Sequence, residues 1–150
     1  MFRGNIPAKI DEKGRLKLPA DFKQLLDAGN ITQFYITSVD GKQAEIWPLP
    51  EWEKREKKLL RSSTMNDAVE KYLNLTSYYG QQVEMDNQAR VLLPQILRKS
   101  ATLDAEVTVM GKINYLVVQN SSVADQYAKA TAMTSDDRRE INSLVAEVDE

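Results

Sequence analysis

The chain has no cysteine and no histidine among its 150 residues. Without cysteine it forms neither disulfides nor thiolate metal sites, and without histidine it lacks the commonest general base and metal ligand. Catalysis by Ser-His-Asp or Cys-His groups is therefore excluded. The sequence also has no P-loop, no GxGxxG motif and no spacing that marks a carboxylate acid–base couple. We expect a protein that is not an enzyme and that needs no cofactor, metal or small-molecule substrate.

Long apolar runs are absent too. An apolar fraction of 42% is enough for a core, but no stretch approaches the ~18 apolar residues of a membrane-spanning helix. Residues 1–5 lack the apolar run of a signal peptide. These absences predict a cytoplasmic protein with no membrane partner.

Charge is distributed unevenly, although the formal net charge is only −2. Residues 1–23 carry six basic and three acidic side chains, whereas residues 112–150 carry four basic and seven acidic ones. Such an asymmetry is more informative than the sum. It predicts that the first part of the chain meets an anionic partner.

One ten-residue segment occurs twice, at residues 10–19 and 85–94. The shared positions, each pair 75 residues apart, are Asp11 and Asp86, Arg15 and Arg90, and Pro19 and Pro94. An internal repeat determines the architecture and is sought first. The chain therefore consists of two copies of one small β-rich unit.

Each copy predicts the same order of elements: a hairpin, a short helix that opens at the proline, a second hairpin and a closing helix. In the first hairpin, residues 5–10 and 15–18 flank a turn in which Gly14 supplies a positive φ. The units span 1–60 and 81–131. A helical connector, 61–80, begins with a polar joint at 61–66, and an acidic helical tail follows at 132–150.

At this point the sequence resembles the MraZ family of bacterial transcriptional regulators, which carry two SpoVT/AbrB-like units. The residues concerned are the N-terminal Met1-Phe2-Arg3-Gly4, both Asp-x-x-x-Arg motifs with Leu-Pro after each, and residues 47–52, Trp-Pro-Leu-Pro-Glu-Trp. The resemblance implies an α+β fold of two tandem swapped-hairpin units. It also implies that internal pseudo-two-fold symmetry pairs these units into a double-psi-like barrel.

The resemblance further implies a ring-shaped homo-oligomer, an octamer or larger, located at the nucleoid. Such a ring would bind double-stranded DNA sequence-specifically upstream of the division and cell-wall gene cluster, as a repressor of its own cluster. A ring presents identical faces repeatedly, so its operator should contain short direct repeats about one helical turn apart, ~10 bp.

Ala89 departs from this pattern, because it stands where the family has glycine. An alanine at positive φ costs on the order of 1 kcal/mol. We therefore expect the second turn to be reshaped.

Two interpretations of the Asp-x-x-x-Arg motif stay open: an ion pair that holds the turn, or an arginine that the aspartate aims at DNA. We assign structural roles to Asp11, Gly14, Asp86 and Arg90. Arg90 is included because its sequence neighbours are not basic. The predicted DNA-binding residues form a basic set: Arg3, Lys9, Lys13, Arg15 and Lys17.

The alternative function is an oligomeric protein-interaction module with no DNA target. Salt dependence separates the two classes, because DNA binding weakens steeply as salt rises. The aromatic residues are assigned to the core or to a subunit contact.

Overall fold

The computed structural model of the chain describes residues 1–62 and 66–148. The strands are β1 (Asn5–Lys9), β2 (Arg15–Lys17), β3 (Gln33–Thr37), β4 (Ala44–Pro48), β5 (Gln81–Glu84), β6 (Arg90–Leu92), β7 (Glu106–Gly111) and β8 (Leu116–Asn120). The helices are α1 (Ala20–Ala28), α2 (Leu49–Arg61), α3 (Asp67–Tyr78), α4 (Gln95–Ser100), α5 (Ser121–Ala130) and α6 (Ser135–Ala146). The predicted α+β class is confirmed, and half of the predicted polar joint, residues 63–65, lies outside the described residues.

The strands form two antiparallel sheets. The larger has the order β1–β7–β8–β4–β3–β5, and β2 pairs with β6 in a separate two-stranded ribbon. Exchanging every strand for its equivalent in the other repeat, β1 for β5 through β4 for β8, reverses the order and changes nothing else. The two repeats are therefore related by a pseudo-two-fold that relates β4 to β8 and β2 to β6.

Strand pairing corrects the predicted first hairpin of each repeat. β1 pairs with β7, and β5 pairs with β3, so each first strand lies beside the other repeat. In the first repeat an isolated bridge between Ile10 and Leu16 closes the turn. The glycine and aspartate of the motif predict the position of the turn correctly, but the burial of apolar faces decides which strands pair. The second hairpins, β3–β4 and β7–β8, are confirmed.

The larger sheet is open within the described part of the chain. Its outer strands are β1 and β5, which do not pair with each other. The closed barrel that the resemblance implies is therefore not observed; the strands form an open sheet and a ribbon. In the ribbon, β2 and β6 each bury one residue, Leu16 and Val91, on the same face.

The core contains equivalent residues of both repeats. Leu16 and Val91 face each other across the ribbon and are fully buried. Phe22 of α1 and Leu97 of α4, also 75 positions apart, are buried in the same cluster. Burying each large apolar side chain contributes roughly 1.5–3 kcal/mol. Both repeats thus supply the layer that supports the ribbon from below.

Aromatic side chains attach α2 and α3 to the sheet. Trp47 stacks on Tyr115 with ring centroids 4.2 Å apart, and Trp52 stacks on Tyr35 at 4.7 Å. Tyr72 of α3 accepts a hydrogen bond from Arg55 Nε at 2.7 Å. Trp47, Trp52 and Tyr35 therefore pack within the chain, as predicted, and the contacts of Trp52 and Arg55 with Tyr72 fix how α2 and α3 lie relative to each other.

One acidic side chain, Glu45, is buried beside these aromatic rings. Burial raises the pKa of the Glu45 carboxyl, although the hydrogen bond from Trp47 Nε1 (2.8 Å) and the charge of Arg55 partly oppose the shift. A raised carboxyl pKa means that the folded protein favours the protonated form. The stability that the folded protein gains from holding this proton is present at low pH, and it is lost as pH rises through the folded pKa.

Glu45→Gln should therefore be more stable than the parent at pH 7. Glutamine keeps an oxygen that accepts the bond from Trp47 and carries no charge to desolvate. The advantage should grow as pH rises from the ordinary glutamate value of 4.5 to neutral pH and vanish at lower pH. Urea midpoints of both proteins across this range measure it. A constant difference at every pH would mean that the charge is not responsible.

Candidate nucleic-acid interface

The first Asp-x-x-x-Arg turn is closed by its aspartate. Asp11 Oδ1 accepts hydrogen bonds from the backbone N–H groups of Lys13 (3.0 Å) and Arg15 (2.9 Å). Asp11 Oδ2 accepts one from Arg15 Nε at 2.8 Å. Gly14, at φ +85°, lets the chain reverse between them. One carboxylate therefore holds both the loop backbone and the arginine side chain.

The second turn repeats this geometry. Asp86 Oδ1 accepts from the backbone N–H groups of Gln88 and Arg90, both at 2.9 Å, and Asp86 Oδ2 accepts from Arg90 Nε at 2.8 Å. Ala89 adopts φ +61°. The prediction that Ala89 reshapes this turn was wrong, because the bonds to Asp86 hold an alanine in the left-handed region.

The two carboxylates remain charged under ordinary conditions. Hydrogen bonds from the Arg15 backbone lower the pKa of Asp11, with its side chain adding to the effect, and Arg90 does the same for the pKa of Asp86. Because the pKa is lowered, the charged carboxylate stabilises the folded turn at every pH above the ordinary aspartate pKa. This contribution is lost only as pH falls through the folded pKa. Each arginine keeps its Nη groups available, since Nε makes the ion pair.

Exchanging the two turn residues should move stability in opposite directions. Ala89→Gly should raise the free energy of unfolding by about 1 kcal/mol, because glycine adopts positive φ without steric cost. Gly14→Ala should lower it by at least as much, since the added Cβ would also meet the Arg98 guanidinium, which its hydrogen bond to Leu93 holds in place. Thermal melts at one protein concentration measure both. Equal shifts of the same sign would contradict the left-handed geometry.

The ribbon brings both motifs onto one surface. Its register pairs Arg15 with Leu92, Leu16 with Val91, and Lys17 with Arg90. Residues opposite each other point to the same face, and side chains alternate along each strand. With Leu16 and Val91 buried below, the solvent face carries two arginines, a lysine and a leucine. We call this surface, Arg15, Lys17, Arg90 and Leu92, the ribbon face.

The ribbon face gives Arg90 a basic neighbour that its neighbours in the sequence do not indicate. Lys17, 73 positions away in the sequence, lies directly opposite Arg90. Charge counting along the chain missed it because the contact crosses between repeats. Asp86 and Arg90 do form the predicted ion pair, but Arg90 belongs to the same basic surface as Arg15.

The other predicted DNA-binding residues lie at different places. Lys13 is exposed in the first turn, and Lys9 lines one groove with Lys17. Arg3 lies beyond the far end of β1, where its backbone passes against Gly111. At about 3.3 Å per residue, Arg3 is roughly 20 Å from Lys9. The structure therefore groups the lysines with Arg15 and separates Arg3 from them.

A further basic residue of this region, Arg98 of α4, escaped the sequence analysis. Its Nε donates to the carbonyl of Leu93 at 3.1 Å, and its guanidinium packs against Gly14. The first turn is also tied to the end of β6 in this place, since the N–H of Leu93 donates to the carbonyl of Gly14 at 3.0 Å. Only the pairing of β2 with β6 reveals that an arginine of the second repeat supports the turn of the first.

The described part of the chain contains no helix long and apolar enough to cross a membrane. Residues 1–62 and 66–148 also hold no group of three or more acidic side chains placed to bind a metal ion. The basic surface is thus the chemically distinctive feature of these residues.

Comparison with known proteins identifies a family and several relatives that this chain resembles. Residues 1–75 and 80–142 match the family model described as MraZ protein. The chain is 55% identical over 139 residues to the transcriptional regulator MraZ of Acidobacterium capsulatum, covering 93% of this chain and 95% of that protein. It is 45% identical over 145 residues to the protein of that name from Koribacter versatilis, covering 96% and 99%. Each matched segment contains one Asp-x-x-x-Arg turn.

Proposed function

Because the chain belongs to the MraZ family of transcriptional regulators, we propose that it binds operator DNA through the ribbon face. The regulator is not an enzyme, as its sequence predicts. The observation that carries the proposal is the joint surface of β2 and β6, where Arg15, Lys17 and Arg90 lie on one face of a two-stranded ribbon. A two-stranded β-ribbon fits the major groove of B-DNA.

The arginines suit direct reading of bases. Each guanidinium is held at Nε by an aspartate, at 2.8 Å in both turns, so its two Nη groups are oriented before DNA arrives. Arginine binds O6 and N7 of guanine with two parallel hydrogen bonds. Prior orientation lowers the side-chain entropy lost on binding. The motif therefore combines both interpretations of Asp-x-x-x-Arg: the ion pair aims the arginine.

The lysines suit phosphate contact. Lys13 projects from the first turn, and Lys9 and Lys17 line a groove next to the ribbon face. Contacts to phosphates position a protein on the duplex without reading sequence. Arg3 is proposed as a separate phosphate contact, because it lies at the other end of β1.

The proposal extends to the assembly. The units 1–60 and 81–131, the connector 61–80 and the tail 132–150 are proposed as the organisation of each chain, with each unit a SpoVT/AbrB-like swapped hairpin. Pairing of β1 with β7 and of β5 with β3 supports this exchange between units. A ring of such chains at the nucleoid would engage short direct repeats and repress its own gene cluster, and effective concentration would strengthen its modest single contacts.

A protein-interaction module without a DNA target is the second candidate. It is favoured by one observation, the exposed apolar residues of the C-terminal helix. That surface lies outside the ribbon face, so it complements DNA binding and does not replace it.

Footprinting on the DNA upstream of the chain's own gene tests the function. We expect protection of short direct repeats and an affinity that falls steeply with salt, with a slope of about one counterion per phosphate contact. A fragment of equal length and shuffled sequence is the control. Equal binding to both fragments would contradict sequence-specific recognition, and an absence of binding at low salt would contradict DNA binding altogether.

A further inference from the structure

The C-terminal helix α6 is well formed but covers nothing in its own chain. Its first turn has a capping box, in which Thr134 Oγ1 accepts the N–H of Asp137 at 3.1 Å and Asp137 Oδ2 accepts the N–H of Thr134 at 3.0 Å. With Thr134 as its cap, the helix begins at Ser135. Every residue of α6 is nevertheless exposed.

One side of α6 is apolar. Ile141, Leu144, Val145 and the following Val148 are 50–72% exposed and stand at positions i, i+3, i+4 and i+7. We call these four residues the α6 stripe. Such spacing places side chains on one face of a helix, and it is the pattern of anchors that a helix inserts into a groove. An apolar stripe on a capped helix indicates a partner surface.

A matching groove lies between α2 and α3. Its floor is apolar and includes Leu60, Val69 and Leu73, of which Leu60 is 76% exposed. Its rim is charged, with Glu53, Glu56, Glu70 and Lys57 along the two helices. We call this surface the α2–α3 groove. Contact between Trp52 and Tyr72 holds the two helices in place. The exposed leucines between these helices can therefore bind the apolar face of another helix.

We propose that α6 of one chain docks into the α2–α3 groove of a second copy. Charges of both signs can pair, since Arg138 and Asp137 precede Ile141 by three and four residues and so continue the α6 stripe, toward a rim that carries glutamates and Lys57. Complementary charges fix the register of such a contact. The inference rests on the proposed homo-oligomer and names its interface.

In its own chain α6 leaves the groove uncovered, since every residue of α6 is exposed. Residues 131–134 are the whole link between α5 and α6. α5 packs on β7 and β8, whereas α2 packs on β3 and β4. Because the donor and acceptor surfaces differ, the contact is head-to-tail, and repeated head-to-tail contacts form a ring when the rotation closes.

Two charge insertions test the interface by sedimentation. Leu144→Asp disrupts the α6 stripe and leaves the groove intact, while Leu73→Asp disrupts the groove and leaves α6 intact. Each variant alone should fall to a monomer, and an equimolar mixture should form 1:1 dimers, because one good helix meets one good groove. Ser143→Asp and Asn74→Asp, exposed neighbours outside both surfaces, should assemble like the parent. Circular dichroism of all four verifies folding.

The remaining outcomes separate the two proposals. A monomeric parent protein would overturn the oligomer and this interface together. A parent oligomer that survives both aspartate variants would overturn the interface alone. Dissociated variants that do not recombine would mean that α6 docks elsewhere. Variants that lose stability without a change of mass would mean that α6 docks on its own chain. DNA binding is tested independently by footprinting.

Discussion

Arg15→Ala should weaken operator binding by about 1–3 kcal/mol for each chain that contacts the DNA, or roughly 5- to 150-fold per site. The loss arises because the guanidinium, held by Asp11 at 2.8 Å, presents two Nη groups that alanine cannot replace. In an oligomer the losses of several chains combine through multivalency. Fluorescence anisotropy on the footprinted repeat, at several salt concentrations, measures the affinity and the salt slope.

Arg90→Ala should lose a comparable amount. Arg90 has the same ion-pair distance to Asp86 and lies opposite Lys17 on the ribbon face. The sequence alone predicted the opposite, a structural role for Arg90. If Arg90→Ala binds like the parent while Arg15→Ala does not, the division predicted from sequence is correct and the ribbon proposal fails for the second repeat.

Arg15→Lys distinguishes base reading from simple charge. Lysine keeps the positive charge but lacks the planar pair of donors. If Arg15 reads a base, Arg15→Lys should keep the salt slope and still lose preference for the operator over shuffled DNA. Arg61→Ala, on the exposed end of α2 and outside the ribbon face, is the matched control. A loss of affinity in Arg61→Ala equal to that in Arg15→Ala would reduce the effect to net charge.

Sequence analysis predicted local features well for physical reasons. Asp11 and Asp86 satisfy backbone donors within four residues, so their turns depend on neighbours in the chain. Helices α1 and α4 follow Pro19 and Pro94 because proline fixes φ and lacks an N–H. The elements were therefore correct in type and order.

The features that escaped prediction depend on residues far apart in sequence. Nothing near Lys17 indicates that Arg90 lies opposite it, and nothing near Gly14 indicates the packing of Arg98. Alternation along a strand tells which face is buried, but it does not tell which strand is adjacent. Ala89 shows the opposite kind of error. The low preference of alanine for positive φ predicted a changed turn, but the hydrogen bonds that Asp86 accepts outweigh that preference.

Leu16→Ala should produce the largest loss of stability, about 2–5 kcal/mol. Leu16 is fully buried beneath the ribbon, opposite Val91, and belongs to the core that both repeats share. Replacing its isobutyl side chain by a methyl group leaves a cavity between packed layers, and these layers relax only in part. Urea unfolding at one fixed protein concentration measures the change, since assembly shifts apparent stability.

Leu92→Ala is the matched control, because the same chemical change is made one register position away on the other face. Leu92 is 45% exposed, so its loss should stay below about 1 kcal/mol, as for most surface substitutions. The pair also separates folding from recognition. At a temperature where Leu16→Ala remains folded, its operator affinity should be close to that of the parent, since the ribbon face keeps Arg15, Lys17 and Arg90. A folded Leu16→Ala that fails to bind would mean that recognition depends on a ribbon shape that the core, rather than the two aspartates, maintains.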